Sequence, residues 1–143
     1  MSAIPIRQTQ PVPKRPVILE IANTGNTLDV YGDRLASQGY EIVSAANYDD
    51  ALKSAHQVEP VLILVYDDPT NNIDALRWLE IQHMDRKPRL AMVPLLILAD
   101  SARVPYLHFE ELPDRVVVLQ RRSDTLNQLT RAVKRLLRIW ELD

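Results

Sequence analysis

Tyr66, Asp67 and Asp68 stand in a row at the end of the unbroken apolar run Val61–Val65, which Pro60 and Pro69 bracket. A carboxylate so placed could accept a phosphoryl group. With Asp100, which closes a second such run at Leu95–Ala99, the same acids could collect a hard cation, because Mg²⁺ takes oxygen ligands. Arg121 and Arg122 follow a third apolar run, Val116–Leu119, and could neutralise an anion there. In open parallel α/β sheets ligands bind beyond the carboxyl ends of the strands. Three polar strand ends therefore define one candidate mouth. Solvated loop acids and helix caps use the same residue types, and that is the plainer use of these aspartates. Tyr66 is better suited to plugging such a mouth than to attacking from it, since a phenol stays protonated at neutral pH.

Other constellations carry less chemistry. His56, His83 and His108 lie far apart and make no i, i+4 metal pair. Ser101 and Ser123 have no adjacent histidine to act as base. Gly25 is alone where a dinucleotide fingerprint needs three glycines. There is no cysteine, so disulfides, thiolate nucleophiles and cysteine-based zinc sites are excluded. Trp78, Tyr106 and Trp140 are candidate binding anchors. Trp78 and Ile81 sit off the Leu76/Leu79 helix face, so one set can face solvent, although core packing is the plainer expectation for both.

The elements that position these residues can be read in order. Residues 1–15, with Pro5, Pro11 and Pro13, form an expected extended tail. The single domain then runs over 16–143. Val17–Ile21 is a first strand. Asn26 is a candidate cap for a first helix, with Asp29 completing a capping box, and Gly39 is placed to end that helix in the left-handed region. Tyr40–Ala45 is an outer strand, and Asn47 with Asp50 repeats the cap signal before a helix that Pro60 stops. Short unbroken apolar runs at 61–65, 94–99 and 116–119 suit strands buried on both faces. A third helix starts around Ile73, Leu76 and Leu79. Pro105 and Pro113 keep any helix between Asp100 and Asp114 short. Ser123-Asp124 caps a last helix whose stripe holds Leu126, Leu129, Val133, Leu136, Leu137 and Trp140. Strand and helix alternate five times, which predicts an α/β, three-layer, doubly wound parallel sheet.

The totals fit one soluble domain: 143 residues, 46% hydrophobic and 25% charged, with a formal charge of −2. That charge gives no reason to expect a nucleic-acid partner. No leader and no membrane-length apolar stretch is apparent, so no membrane partner and a cytoplasmic location are expected.

In this order and spacing the chain resembles a receiver domain of the response-regulator family, over roughly Arg15 to Leu142. Gln38-Gly39-Tyr40-Glu41-Ile42-Val43-Ser44-Ala45-Ala46-Asn47 is similar to that family's Gly-Tyr-x-Val-x-x-Ala-x-x segment. Glu59-Pro60-Val61-Leu62-Ile63-Leu64-Val65 resembles the Pro-Asp-Leu-Ile-Leu-Leu run before the phosphoacceptor. Val93-Pro94-Leu95-Leu96-Ile97-Leu98 resembles the Pro-Ile-Ile-x-Leu run of the fourth strand. The resemblance implies five strands in the flavodoxin-like order 2-1-3-4-5.

It also implies a site whose roles this chain does not fill. The acidic pair that would hold Mg²⁺ falls on Ala22 and Asn23, the phosphoacceptor on Tyr66 and the hydroxyl on Ala99. The lysine falls on Arg121 or Arg122, with Ser123 where a proline usually follows. Arg121 or Arg122 is expected to pair with Asp67 or Asp100. The resulting expectation is a pseudo-receiver, not an enzyme and without cofactor. It would act in bacterial two-component signalling by binding a kinase or output protein. No effector domain is expected beyond it, and Leu136, Ile139 and Trp140 of the last helix would be its contact or homodimer surface. Two other readings stay open: a live Mg²⁺-dependent phosphoacceptor using Asp67 or Asp68, with Asp100 as a further metal candidate, and a small-ligand sensor using the strand-end pocket.

Overall fold

A computed structural model describes residues 15–23, 29–122 and 124–142, with side chains described as far as Arg138. The expected tail, the Asn26 cap and the Ser123 cap lie outside the described residues.

The elements are β1 (Val17–Ile21), α1 (Val30–Ser37), β2 (Glu41–Ala45), α2 (Tyr48–Val58), β3 (Leu62–Tyr66), a 3₁₀ turn (Pro69–Asn71), α3 (Ala75–His83), α4 (Pro88–Ala91), β4 (Leu95–Ala99), α5 (Val104–His108), β5 (Val116–Gln120) and α6 (Leu126–Leu142). All strand pairs are parallel, in the order β2-β1-β3-β4-β5. This is the flavodoxin-like arrangement expected from the sequence. Among the described residues no helix is long and apolar enough to cross a membrane.

Strand periodicity divides the core into two layers. Leu19, Ile21, Ile63, Val65, Leu95 and Ile97 face α2 and α3, where Ala51, Ala55, Ala75 and Trp78 meet them. Ile18, Leu62, Leu64, Leu96 and Leu98 face the other way, against Tyr31 and Leu35 of α1 and Leu129, Val133 and Leu136 of α6. The unbroken apolar runs of β3 and β4 follow from this, since both faces of each strand are covered.

Local signals set the ends. Asn47 caps α2 as expected: its Oδ1 accepts from the Asp50 amide at 2.8 Å while its Nδ2 donates to Asp50 Oδ2 at 3.1 Å. At the end of α1, Gly39 has φ +100°. The Gly39 amide donates to Ala36 O and the Tyr40 amide to Leu35 O, the paired closure that a left-handed glycine permits. The start of α1 differs from expectation. Asp29 is its N-cap, accepting from the Gly32 amide at 2.8 Å, and the helix begins at Val30.

Trp78 is fully buried. Leu76, Leu79 and Ile81 are only partly buried, so the covered stripe of α3 is Ala75, Trp78 and Gln82. Leu136 is fully buried too. It belongs to the monomer's core and is not available as a contact surface, which corrects the expectation placed on it. The side chains of Ile139 and Trp140 lie outside the described ones.

Candidate functional site

The carboxyl ends of β3, β4 and β5, with that of β1, bound the candidate mouth, and the backbone decides which way each side chain leaves it. Tyr66 ends β3 on the α1/α6 face. Asp67, one residue later, leaves on the opposite face, because successive side chains alternate.

Tyr66 is clamped among oxygens. Its Oη lies 2.6 Å from Asp29 Oδ1 and 3.2 Å from Glu20 Oε2, and its ring meets that of Tyr31 edge-on at 5.9 Å. Glu20 sits within β1, beside Ser44 of β2 and Leu64 of β3, and is only 2% exposed. Ser44 Oγ donates to Glu20 Oε1 at 3.2 Å. Burial, then the hydrogen bond and charge of Asp29, push the Glu20 carboxyl from 4.5 up to about 7, against the pull of the Ser44 and Tyr66 hydroxyls. A protonated Glu20 supplies a second hydrogen where Tyr66 alone has one to share. Burial and the neighbouring carboxylates push the Tyr66 phenol far upward, so it stays a neutral donor. Gly32 makes room for the arrangement. A Cβ there would collide with Asp29 Oδ2 and stand 2.8 Å from Glu20 Oε2.

Asp67 is buried and bound on the other face. Its Oδ1 accepts from the Ala75 amide at 2.9 Å, at the start of α3. Arg103, from the turn that opens α5, donates from Nε to Asp67 Oδ2 at 2.7 Å and from Nη2 to Oδ1 at 3.2 Å. The same Nη2 reaches Asp74 Oδ1 at 3.3 Å, and the guanidinium lies 4.7 Å from the Tyr106 ring centroid. The bond to Asp67 is the main cause that holds the Arg103 proton more tightly than usual, over the opposing effect of burial.

The remaining candidates are spent on local structure. Ala22 and Ala99 are buried, and Asn23 is exposed. Asp68 accepts from Thr70 Oγ1 at 3.0 Å and Asn71 Nδ2 at 2.7 Å. Asp100 Oδ1 accepts from the Arg103 amide at 3.0 Å. The Arg121 amide bonds Ala99 O at 2.8 Å. Arg122 Nε lies 3.1 Å from Asp124 Oδ1, and its carbonyl accepts from the Tyr31 hydroxyl.

Two expectations change. The arginine that answers Asp67 is Arg103 and not Arg121 or Arg122: the turn that Asp100 closes on the Arg103 amide after β4 sets Arg103 beside the end of β3. Asp67, Asp68 and Asp100 form no metal cluster: Asp67 binds the Arg103 side chain, Asp100 the Arg103 amide and Asp68 the side chains of its own turn, and among the described residues no group of three acids or histidines is placed to hold one metal ion. Mg²⁺ therefore does not fit this donor set. Glu20 and Asp29 bring two carboxylates together, but the Tyr66 hydroxyl occupies the space between them that a cation would need.

Glu20, Asp29 and Arg103 were not singled out from the sequence. Glu20 had a signal, since an acid inside Val17–Ile21 is anomalous for a strand buried on both faces. Asp29 was seen only as part of a cap, and nothing in the sequence ties Arg103 to Asp67.

No protein-family model matches the chain, and no curated protein matches it. Solved structures do. A response regulator from Desulfuromonas acetoxidans superposes with a TM-score of 0.64 at 16% identity, covering 87% of this chain and 98% of that one. The chemotaxis response regulator CheY4 of Vibrio cholerae gives 0.67 at 15%, covering 86% and 99%. The receiver domain of the hybrid histidine kinase CckA gives 0.61 at 22%, covering 85% and 98%. The chain has the receiver fold. Within that fold the end of β3 carries Tyr66, the position on which the resemblance places the phosphoacceptor, and the acid next to it in the chain, Asp67, faces the other layer.

Proposed function

We propose that this receiver fold serves as a pseudo-receiver: a protein-interaction module of two-component signalling that does not accept a phosphoryl group on aspartate. One observation carries the reading. The end of β3 presents a neutral phenol bound to Asp29 and Glu20, while Asp67 is buried on the other face in an ion pair with Arg103. A phosphoacceptor must be open to in-line attack, with a cation and donors around the transferred oxygens. Asp67 has neither access nor a cation site, and Asp68 and Asp100 are held as turn caps. The partner on this reading is a kinase or output protein that recognises a fixed surface.

The test is incubation with a small phosphodonor and Mg²⁺, followed by intact-mass measurement. The unchanged mass is expected. A stable gain of one phosphoryl group that Asp67→Asn or Asp68→Asn removes would return the protein to the live phosphoacceptors.

A further inference from the structure

The amino-terminal ends of β3 and β4, on the far side of the sheet from Tyr66, hold a hollow of about 370 Å³. Its volume lies within the range of small-molecule sites, which is on the order of 300–1,000 Å³. The floor is apolar: Ala55, Pro60, Leu90 and Val93. The rim carries the exposed cations Arg86, Lys87 and Arg89, with His56, against one exposed acid, Glu59, so its balance is cationic.

Both parts are fixed in advance. Under the floor, Gln82 Nε2 donates to Leu90 O at 3.0 Å and to Val93 O at 2.8 Å, while its Oε1 accepts from Trp78 Nε1 at 3.0 Å. This buried network sets the short helix α4 that forms one wall. At the rim, His56 Nε2 lies 2.9 Å from Asp85 Oδ2, and Asp85 Oδ1 accepts from the Lys87 amide at 2.9 Å. Asp85 is thereby committed to the protein, and the Arg86 and Lys87 side chains are left at the opening. Glu59, at the lip, has φ +48° because it closes α2, its amide donating to Ala55 O at 3.1 Å.

We propose that this hollow binds an amphiphilic organic anion, with a flat or branched apolar body on the Ala55–Leu90–Val93 floor and an acidic group between Arg86 and Lys87. The site is independent of the strand-end mouth, and it gives the fold an input that needs no phosphoryl transfer.

Two dyes that share an aromatic body separate the contributions. 8-Anilinonaphthalene-1-sulfonate carries the anion and N-phenyl-1-naphthylamine does not. Fluorescence titration of the full chain is expected to give saturable sulfonate binding at one site. Arg86→Gln/Lys87→Gln, both exposed positions, should weaken the sulfonate by about ten-fold and leave the neutral dye unchanged. Methyl NMR shifts should concentrate on Leu90 and Val93. The proposal is overturned if the sulfonate affinity is the same in the charge variant, or if the shifted methyls lie outside the hollow.

Discussion

Arg103 lies over the end of β3 with its Nε 2.7 Å from Asp67 Oδ2, and so joins α5 to the strand that the candidate mouth is built on. The Asp67 side chain is wholly buried and that of Arg103 is 21% exposed. Breaking one side of such a pair leaves an uncompensated charge, which costs more than the pair contributes.

Asp67→Ala strands both the guanidinium and the Ala75 amide. The expected loss is about 2–4 kcal/mol in urea unfolding. Asp67→Leu/Arg103→Met should lose less than the two single changes added together. Strict additivity would show that the two side chains are not coupled.

The Glu20 carboxyl makes stability depend on pH in an unusual direction for an acid. In the folded protein it keeps its proton up to about 7, while in the unfolded chain it loses it around 4.5. Between those values the folded state binds the extra proton, so stability falls as pH rises. The span is worth roughly 3 kcal/mol. Glu20→Gln should flatten this slope between about pH 4.5 and 7. An unchanged slope would place the buried proton elsewhere.

Tyr66→Phe removes the hydroxyl that both carboxylates face. Unfolding should cost about 1–2 kcal/mol less than in the parent. The Tyr66 hydrogen bond lowers the Glu20 pKa. Its loss should therefore move the falling limb of the stability curve to higher pH. Movement toward lower pH would contradict the geometry.

Gly32→Ala tests the space above the acids. Helix propensity alone favours alanine by about 1 kcal/mol. The added Cβ instead displaces Asp29, which caps α1 and receives the Tyr66 hydroxyl. A net loss of about 1–2 kcal/mol is expected, as for a lost cap. The loss should shrink in an Asp29→Ser background, where the cap is shorter. A gain in stability from Gly32→Ala would mean that Asp29 moves aside freely.

The sequence carried most of the fold because its evidence was local and redundant. Pro60, Gly39 and Asn47 mark element ends by backbone chemistry that tertiary packing does not override, and the runs around Ile63 and Ile97 can only be central strands. The site was less legible. The alternation that turns Asp67 away from Tyr66 follows from strand geometry alone. Its partner does not. Arg103 reaches Asp67 across a fold contact between residues far apart in the chain, and periodicity carries no record of such a contact. Glu20 is a different case: it lies inside β1, two residues before Ala22, and its one trace in the sequence is an acid within an otherwise apolar strand.

Tyr66, the last residue of β3, and Asp67, which follows it, thus hold opposite sides of the molecule. Tyr66 grips the helix that Asp29 opens, and Asp67 grips the helices that begin at Ala75 and Val104. The helices on the two faces of the sheet are therefore tied to neighbouring residues of one strand end, and a substitution at either contact sits one peptide bond from the other.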